Sequence, residues 1–254
     1  MSIVAKTLGV ERIIDSHCHI GQSPYVDQPV ETLLAEMDEA GVEKAIICAI
    51  GSHLVIDNEE GNDFISGVVK KYPERFLGLA SVNPWYGEKA VRELNRSITK
   101  LQLSGLKLHP VLQGFQANEK LVFPVIEEAI RLGVWIYIHS GTPECSLPLQ
   151  IVELALKYPE GKFIMGHMGG ADFFLDVPDP CAKVPNIYLE TSLTCHPVFV
   201  KEAIEKVGSD RVMFGSDSPT SNMKTELEKI KVLNLSKDDL NNVLWRNVHR
   251  IFGI

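Results

Sequence analysis

The sequence predicts an α/β protein, a (β/α)8 TIM barrel in which eight parallel strands are ringed by helices. Three observations predict it. Eight short runs rich in Ile, Val and Leu recur along the 254 residues. The stretches between them carry apolar residues at three- and four-residue spacing, the mark of an amphipathic helix. No glycine-rich phosphate loop, GxGxxG or GxxxxGK[ST], follows an early strand, which argues against the doubly wound open sheet. The length suits one barrel, so residues 1–254 are expected to form a single domain.

The expected strands are Arg12–Ile20, Lys44–Ile50, Phe76–Val82, Gly105–His109, Val134–His139, Lys162–His167, Ile187–Ser192 and Val212–Ser216. Their nearly continuous apolar character fits parallel strands, which are covered on both faces. Of the helices, "VETLLAEMDEAG" places Leu33, Leu34, Met37 and Ala40 on one side and stops at Gly41. "EKAVRELNRSITKL", "PVIEEAIRLG", "LQIVELALKYP" and "VFVKEAIEKVG" repeat that pattern. "ADFFLDVPDPCAKV" is the weakest helix, because two prolines interrupt it. The last helix starts at Ser236 as N-cap and buries Leu240, Leu244, Val248 and Ile251.

Composition narrows the function. Hydrophobic residues make up 45% and the formal net charge is −8, with no basic run. That balance argues against a grip on nucleic acid or an anionic membrane, which calls for a basic patch. No stretch has the apolar length of a membrane helix, and the N-terminus lacks the apolar core of a signal peptide. Cys18, Cys48, Cys145, Cys181 and Cys195 form an odd set without CxxC spacing, so a reducing cytoplasm is expected. Cys18 and Cys48 read as small hydrophobes. The expected partner is a small molecule, and the sequence is compatible with a homo-oligomer.

Polar residues end several strands. "IIDSHCHIG" puts His17 and His19 on one face of a strand with Cys18 turned away. Two such imidazoles either bind one metal ion or pair as ordinary polar residues. "WIYIHSG" ends at His139, "FIMGHMGG" at His167 and "VMFGSDSP" at Asp217. A barrel gathers its C-terminal strand ends over one pocket, so these residues can meet there. Imidazole and carboxylate are good ligands for zinc and similar divalent ions.

This pattern resembles the amidohydrolase superfamily. "DSHCHIG", "GLKLHP", "IHSG", "GHMGG", "GSDSP" and "NVHRIFGI" are similar to its amidohydrolase-related branch, which holds hydrolases and aminocarboxymuconate-semialdehyde-type decarboxylases. The resemblance implies a metal held by His17, His19, His139 and Asp217, with His167 as a further ligand or an acid–base residue. It implies zinc, one ion being expected and two the alternative. The leading expectation is a hydrolase of a small C–N or C–O bond, with Asp217 and His167 catalytic. A non-oxidative decarboxylase of an aromatic or unsaturated acid is the alternative.

Lys107 and His109 share a face at the end of the fourth strand, and both are expected to bind substrate. For Lys107, a carboxylated bridge between two metals and a buried pair with Asp15 are the other readings. Glu190 either orients a ligand histidine or forms a plain salt bridge. His53, His196, Cys145 and Cys195 fall in loops at the expected mouth. Phe115, Phe123, Phe173 and Phe174 are read as core rather than pocket wall. The loops after strands one, four and six are expected to select substrate.

Overall fold

The structure, a computed structural model, describes residues 2–254. Eight parallel strands succeed one another: β1 (Ile14–Gln22), β2 (Lys44–Ala49), β3 (Phe76–Ser81), β4 (Gly105–Leu108), β5 (Trp135–His139), β6 (Phe163–Gly166), β7 (Ile187–Glu190) and β8 (Val212–Met213). Each pairs in parallel with the next. A two-residue strand, Asp27–Gln28, folds back on the end of β1.

Closure distinguishes a barrel from an open sheet, and it occurs between the segment after β8 and β1. Ser16 N–H donates to Phe214 O at 3.0 Å, Asp217 N–H to His17 O at 2.8 Å and His19 N–H to Ser218 O at 2.8 Å. The expected last strand, Val212–Ser216, is therefore corrected to two residues of regular ladder. Phe214 N–H donates instead to Val243 O at 2.9 Å, which takes the chain out of the ladder with β7 after Met213, and Asp217 at φ +56° then turns it. The expected Ile187–Ser192 strand likewise ends early, at Glu190, and β1 is displaced two residues toward the C-terminus.

Inside the barrel, Ile14, Ile46, Cys48, Leu79, Tyr137, Ile164 and Met213 from six strands form one buried cluster. A larger apolar shell lies between strands and helices. The helices follow the expected stripes: Leu33, Met37 and Ala40 are buried on Val30–Ala40, and Gly41 ends it in the left-handed conformation. Asn58–Lys71 and Met223–Lys231 are further helices. The proline-interrupted segment gives only a 3-10 turn, Phe174–Asp176, and the five-residue helix Pro178–Ala182. Ser236 caps the last helix by accepting from Asp239 N–H. A π turn at Asn242–Arg246 then inserts a residue into the helical register. Leu244 and Val248 are buried, whereas Leu240 and Ile251 are only half-buried, which corrects the expected four-residue stripe.

No helix among the described residues is long and apolar enough to cross a membrane. All five cysteines are free.

Candidate active site

The C-terminal strand ends bring the expected residues together. Strand β1 presents His17 and His19 side by side, with ring centroids 4.6 Å apart. Across the closing seam, Asp217 Oδ1 lies 2.9 Å from His17 Nε2 and 3.2 Å from His19 Nε2. His167, at the end of β6, completes a group with His17 and Asp217 whose ligand atoms lie within 4.8 Å of one another. His139 stands beside them, its ring 4.6 Å from that of His167 and its Nε2 3.1 Å from Thr142 Oγ1. It belongs to the cluster's edge rather than to that compact group.

Hydrogen bonds fix which nitrogens face inward. His19 Nδ1–H donates to Ala49 O at 3.0 Å, which leaves the Nε2 lone pair facing Asp217. On the other wall, Ser192 O–H donates to Glu190 Oε2 at 2.9 Å, so its oxygen accepts from His167 Nδ1–H at 2.8 Å. His167 Nε2 is then the free acceptor. Glu190 also accepts from Tyr137 O–H at 2.5 Å and from the His167 and Ser192 N–H groups at 3.1 and 2.5 Å. A wholly buried carboxylate is thus satisfied by neutral donors, and its work is to orient His167.

Two lone-pair nitrogens and a carboxylate oxygen directed at one another repel unless a cation or a proton lies between them. His17 Nδ1 is buried without a partner, a further sign that the ring's position is set by its other edge. Burial, then the Lys107 charge, lowers His139 to about 3, and burial holds His167 and His109 well below the ordinary imidazole range. Burial alone would raise Asp217; His167, His17 and His19 outweigh it and keep the carboxyl well below its usual range. Metal binding takes neutral imidazoles and an ionised carboxylate, and His139, His167 and Asp217 already have those forms. At His19 burial is outweighed by Cys48 and Asp217 and the pKa rises to about 10, so that ring gives up its proton to an incoming cation. On those terms the donor set fits one.

Lys107 is wholly buried below the cluster, with Nζ 3.1 Å from His17 Nε2 and 4.0 Å from the centre of the Tyr137 ring. Burial lowers its pKa. The alternative pair with Asp15 is not made: Asp15 accepts from His17 N–H and Ser216 N–H, and its second oxygen has no partner. His109 lies above, stacked on His139 at 3.9 Å.

A cavity of about 560 Å³ opens over His19, His109, His139 and Asp217. Its walls are mostly apolar, from Tyr25 and Val26 after β1, Ile50, Leu54, Val55 and Ile56 after β2, Leu112 after β4 and Leu193 after β7. The loops after β1 and β4 contribute as expected. The loop after β6 does not line it, and the loop after β2 takes its place. Lys107 does not line it either, which removes the geometric basis for an ion pair with substrate. Neither His53 nor His196 lines it; His53 packs toward Phe64, and His196 toward Phe174 and Phe199.

Sequence reasoning missed two features. Cys48 Sγ lies 3.3 Å from His19 Nδ1, although nothing in an apolar run sets that cysteine apart. The Ser192 link between Glu190 and His167 was also missed; the shared alternation of Glu190 and Ser192 on one strand was the available signal.

A parallel barrel that closes over histidines and an aspartate at its strand ends is an amidohydrolase-type barrel. The chain belongs to the Amidohydro_2 family of amidohydrolases, whose model matches residues 14–254. It is 26% identical to a gamma-resorcylate decarboxylase of Polaromonas sp. (strain JS666), over 86% of this chain and 85% of that one. It is 36% identical to a 2-amino-3-carboxymuconate-6-semialdehyde decarboxylase of Dictyostelium discoideum, over 62% of this chain and 55% of that one. Among solved structures, 5-carboxyvanillate decarboxylase from Sphingomonas paucimobilis superposes with a TM-score of 0.77 at 21% identity, covering 96% of this chain and 99% of that chain. A dihydroxybenzoic acid decarboxylase from Polaromonas sp. JS666, with bound manganese and the inhibitor 2-nitroresorcinol, gives 0.77 at 20% identity, covering 96% and 97%. These relatives correct the leading expectation from sequence. They are decarboxylases, so a hydrolase reading is overturned; the ligand pattern is shared by both chemistries and could not separate them.

Proposed function

We propose that this protein is a metal-dependent, non-oxidative decarboxylase of a small aromatic or unsaturated carboxylic acid. The observation that carries the reading is the kinship with two decarboxylases, one of them across 86% of the chain. The cavity agrees with it: the imidazoles and the carboxylate lie at its floor, and the walls, apolar but for a few hydroxyl groups, suit a flat ring.

His17, His19, His167 and Asp217 would hold the metal, with His139 beside them at the cluster's edge. Manganese is favoured over the zinc expected from sequence, because a structural relative carries it; an N/O donor set accepts either ion. When bound, the ion supplies positive charge that fixes an acid's carboxylate and polarises a neighbouring oxygen. The chain's residues do the rest. Loss of carbon dioxide requires a proton on the carbon that bore the carboxylate. The C–C electron pair then returns to the ring as that bond breaks. Asp217, on the cavity floor and ionised at rest, would take that proton from the substrate's hydroxyl or from solvent and deliver it to the carbon. His167, held neutral and oriented through Ser192, faces the cluster with Nε2 free to accept a proton or hydrogen bond. The apolar walls exclude water, which favours departure of neutral carbon dioxide from a charged acid.

The test is a panel of hydroxybenzoic acids and unsaturated acids incubated with manganese-loaded protein, with carbon dioxide release measured beside hydrolysis of lactones and amides. Release from at least one acid is expected. Hydrolysis without release would overturn the proposal.

A further inference from the structure

Strand β8 leaves its ladder after Met213, so the chain that carries Asp217 must be held by other means. Seam bonds fix its near end: Asp217 N–H reaches His17 O, and Ser218 O accepts from His19 N–H. Residues 218–223 then form an irregular turn, and Glu36, on the helix Val30–Ala40, grips it at both ends. Glu36 Oε2 accepts from Ser218 O–H, and Oε1 accepts from Asn222 Nδ2–H at 3.1 Å and Met223 N–H at 2.9 Å. A carboxylate only accepts, so the Ser218 hydroxyl directs its proton to Glu36 while its oxygen accepts from Gln28 Nε2–H at 2.9 Å. Ser218 and Gln28 are buried, and Gln28 follows the turn whose Tyr25 and Val26 wall the cavity. At the far end Met223 opens the nine-residue helix Met223–Lys231, whose N-terminus favours a carboxylate.

We propose that Glu36 is a positioning residue for Asp217, holding the turn on which Asp217 sits through Ser218 and Met223. It acts from outside the cavity, which it does not line. The proposal rests on the decarboxylase reading for what Asp217 does, not for how it is held. Position matters at this distance, because a shift of about 1 Å at a reacting group can cost about a hundredfold in rate. Glu39 on the same helix supplies the comparison. Its carboxylate accepts from Lys224 Nζ at 2.8 Å, which ties the same two helices without touching the Asp217 turn.

The experiment compares Glu36→Ala, Glu36→Gln and Glu39→Ala with the unaltered protein. Amide exchange at Asp217 is read without metal, beside manganese titration and carbon dioxide release. Glu36→Ala should speed that exchange at least about tenfold and weaken manganese binding about 10–100-fold, whereas Glu39→Ala should leave both unchanged. Glu36→Gln keeps an oxygen for Asn222 and Met223 and offers an N–H to the Ser218 oxygen, so it should restore most of the loss. Unchanged exchange or unchanged manganese affinity in Glu36→Ala overturns the proposal. So does an equal effect from Glu39→Ala, or Glu36→Gln as impaired as Glu36→Ala. If exchange and metal affinity follow the expected order but no acid loses carbon dioxide, the positioning role stands and the decarboxylase reading falls.

Discussion

Asp217 occupies the left-handed region, as does His167 at φ +65°. An L-residue there costs about 1–2 kcal/mol, and Asn and Asp tolerate it best. Asp217→Asn therefore preserves the backbone while removing charge and proton affinity and weakening the proposed hold on the metal, which excess metal restores. Its kcat should fall about 10²–10⁴-fold in metal-replete protein with KM little changed; an unaltered kcat would reduce Asp217 to a turn residue. His17→Ala with His19→Ala should abolish metal binding while leaving a folded barrel, because the apolar core is untouched. Metal analysis and circular dichroism check the pair, and full occupancy would refute the ligand assignment. Lys107→Met carries a corrected expectation. Since Lys107 lies outside the cavity, KM for acids and metal content should both survive. Loss of a metal equivalent, rescued by short carboxylates, would point instead to a carboxylated lysine.

Between single residues and the barrel lie the strand ends, where packing holds the chemistry in place. Gly166 and Gly215 flank the Tyr137–Glu190 pair: a Cβ on Gly166 would fall 2.5 Å from the Tyr137 hydroxyl, and one on Gly215 would fall 2.3 Å from Glu190 Oε1. Either contact must displace a group that orients His167. Gly166→Ala should cost about 1–3 kcal/mol by overpacking and weaken metal affinity about 10–100-fold through the lost orientation. Thermal melts and metal titration separate the two effects, and intact affinity would show that the pair does not set His167. This level also marks what was legible in sequence. Strand alternation is local, so the ends carrying His17, His19, His139, His167 and Asp217 could be read directly. The cavity walls could not, because Ile50 to Ile56 look like any connecting segment until β2 is curled beside β1. The π turn at Asn242–Arg246 likewise answers to packing rather than to a visible period.

For the molecule as a whole, the site and the barrel's closure share one seam. His17 and His19 lie on the first barrel strand, Asp217 follows the last, and only a few backbone bonds join these edges. A cation held between them, as proposed, would act as a clasp. Chelation should lower the melting temperature, with stabilisation of about 2.7 kcal/mol regained at a hundredfold excess of metal over Kd. It should also speed amide exchange at Ser16, His19 and Asp217 before strands β3 to β6 respond; uniform exchange across the barrel would contradict this. The seam has a consequence for synthesis. On the ribosome, the two histidines emerge early and their carboxylate partner only after nearly the entire chain. Under the proposed ligand assignment, a nascent chain halted before Val212 would have half a clasp, so metal capture would belong to the final moments of translation and would report that the ring has shut.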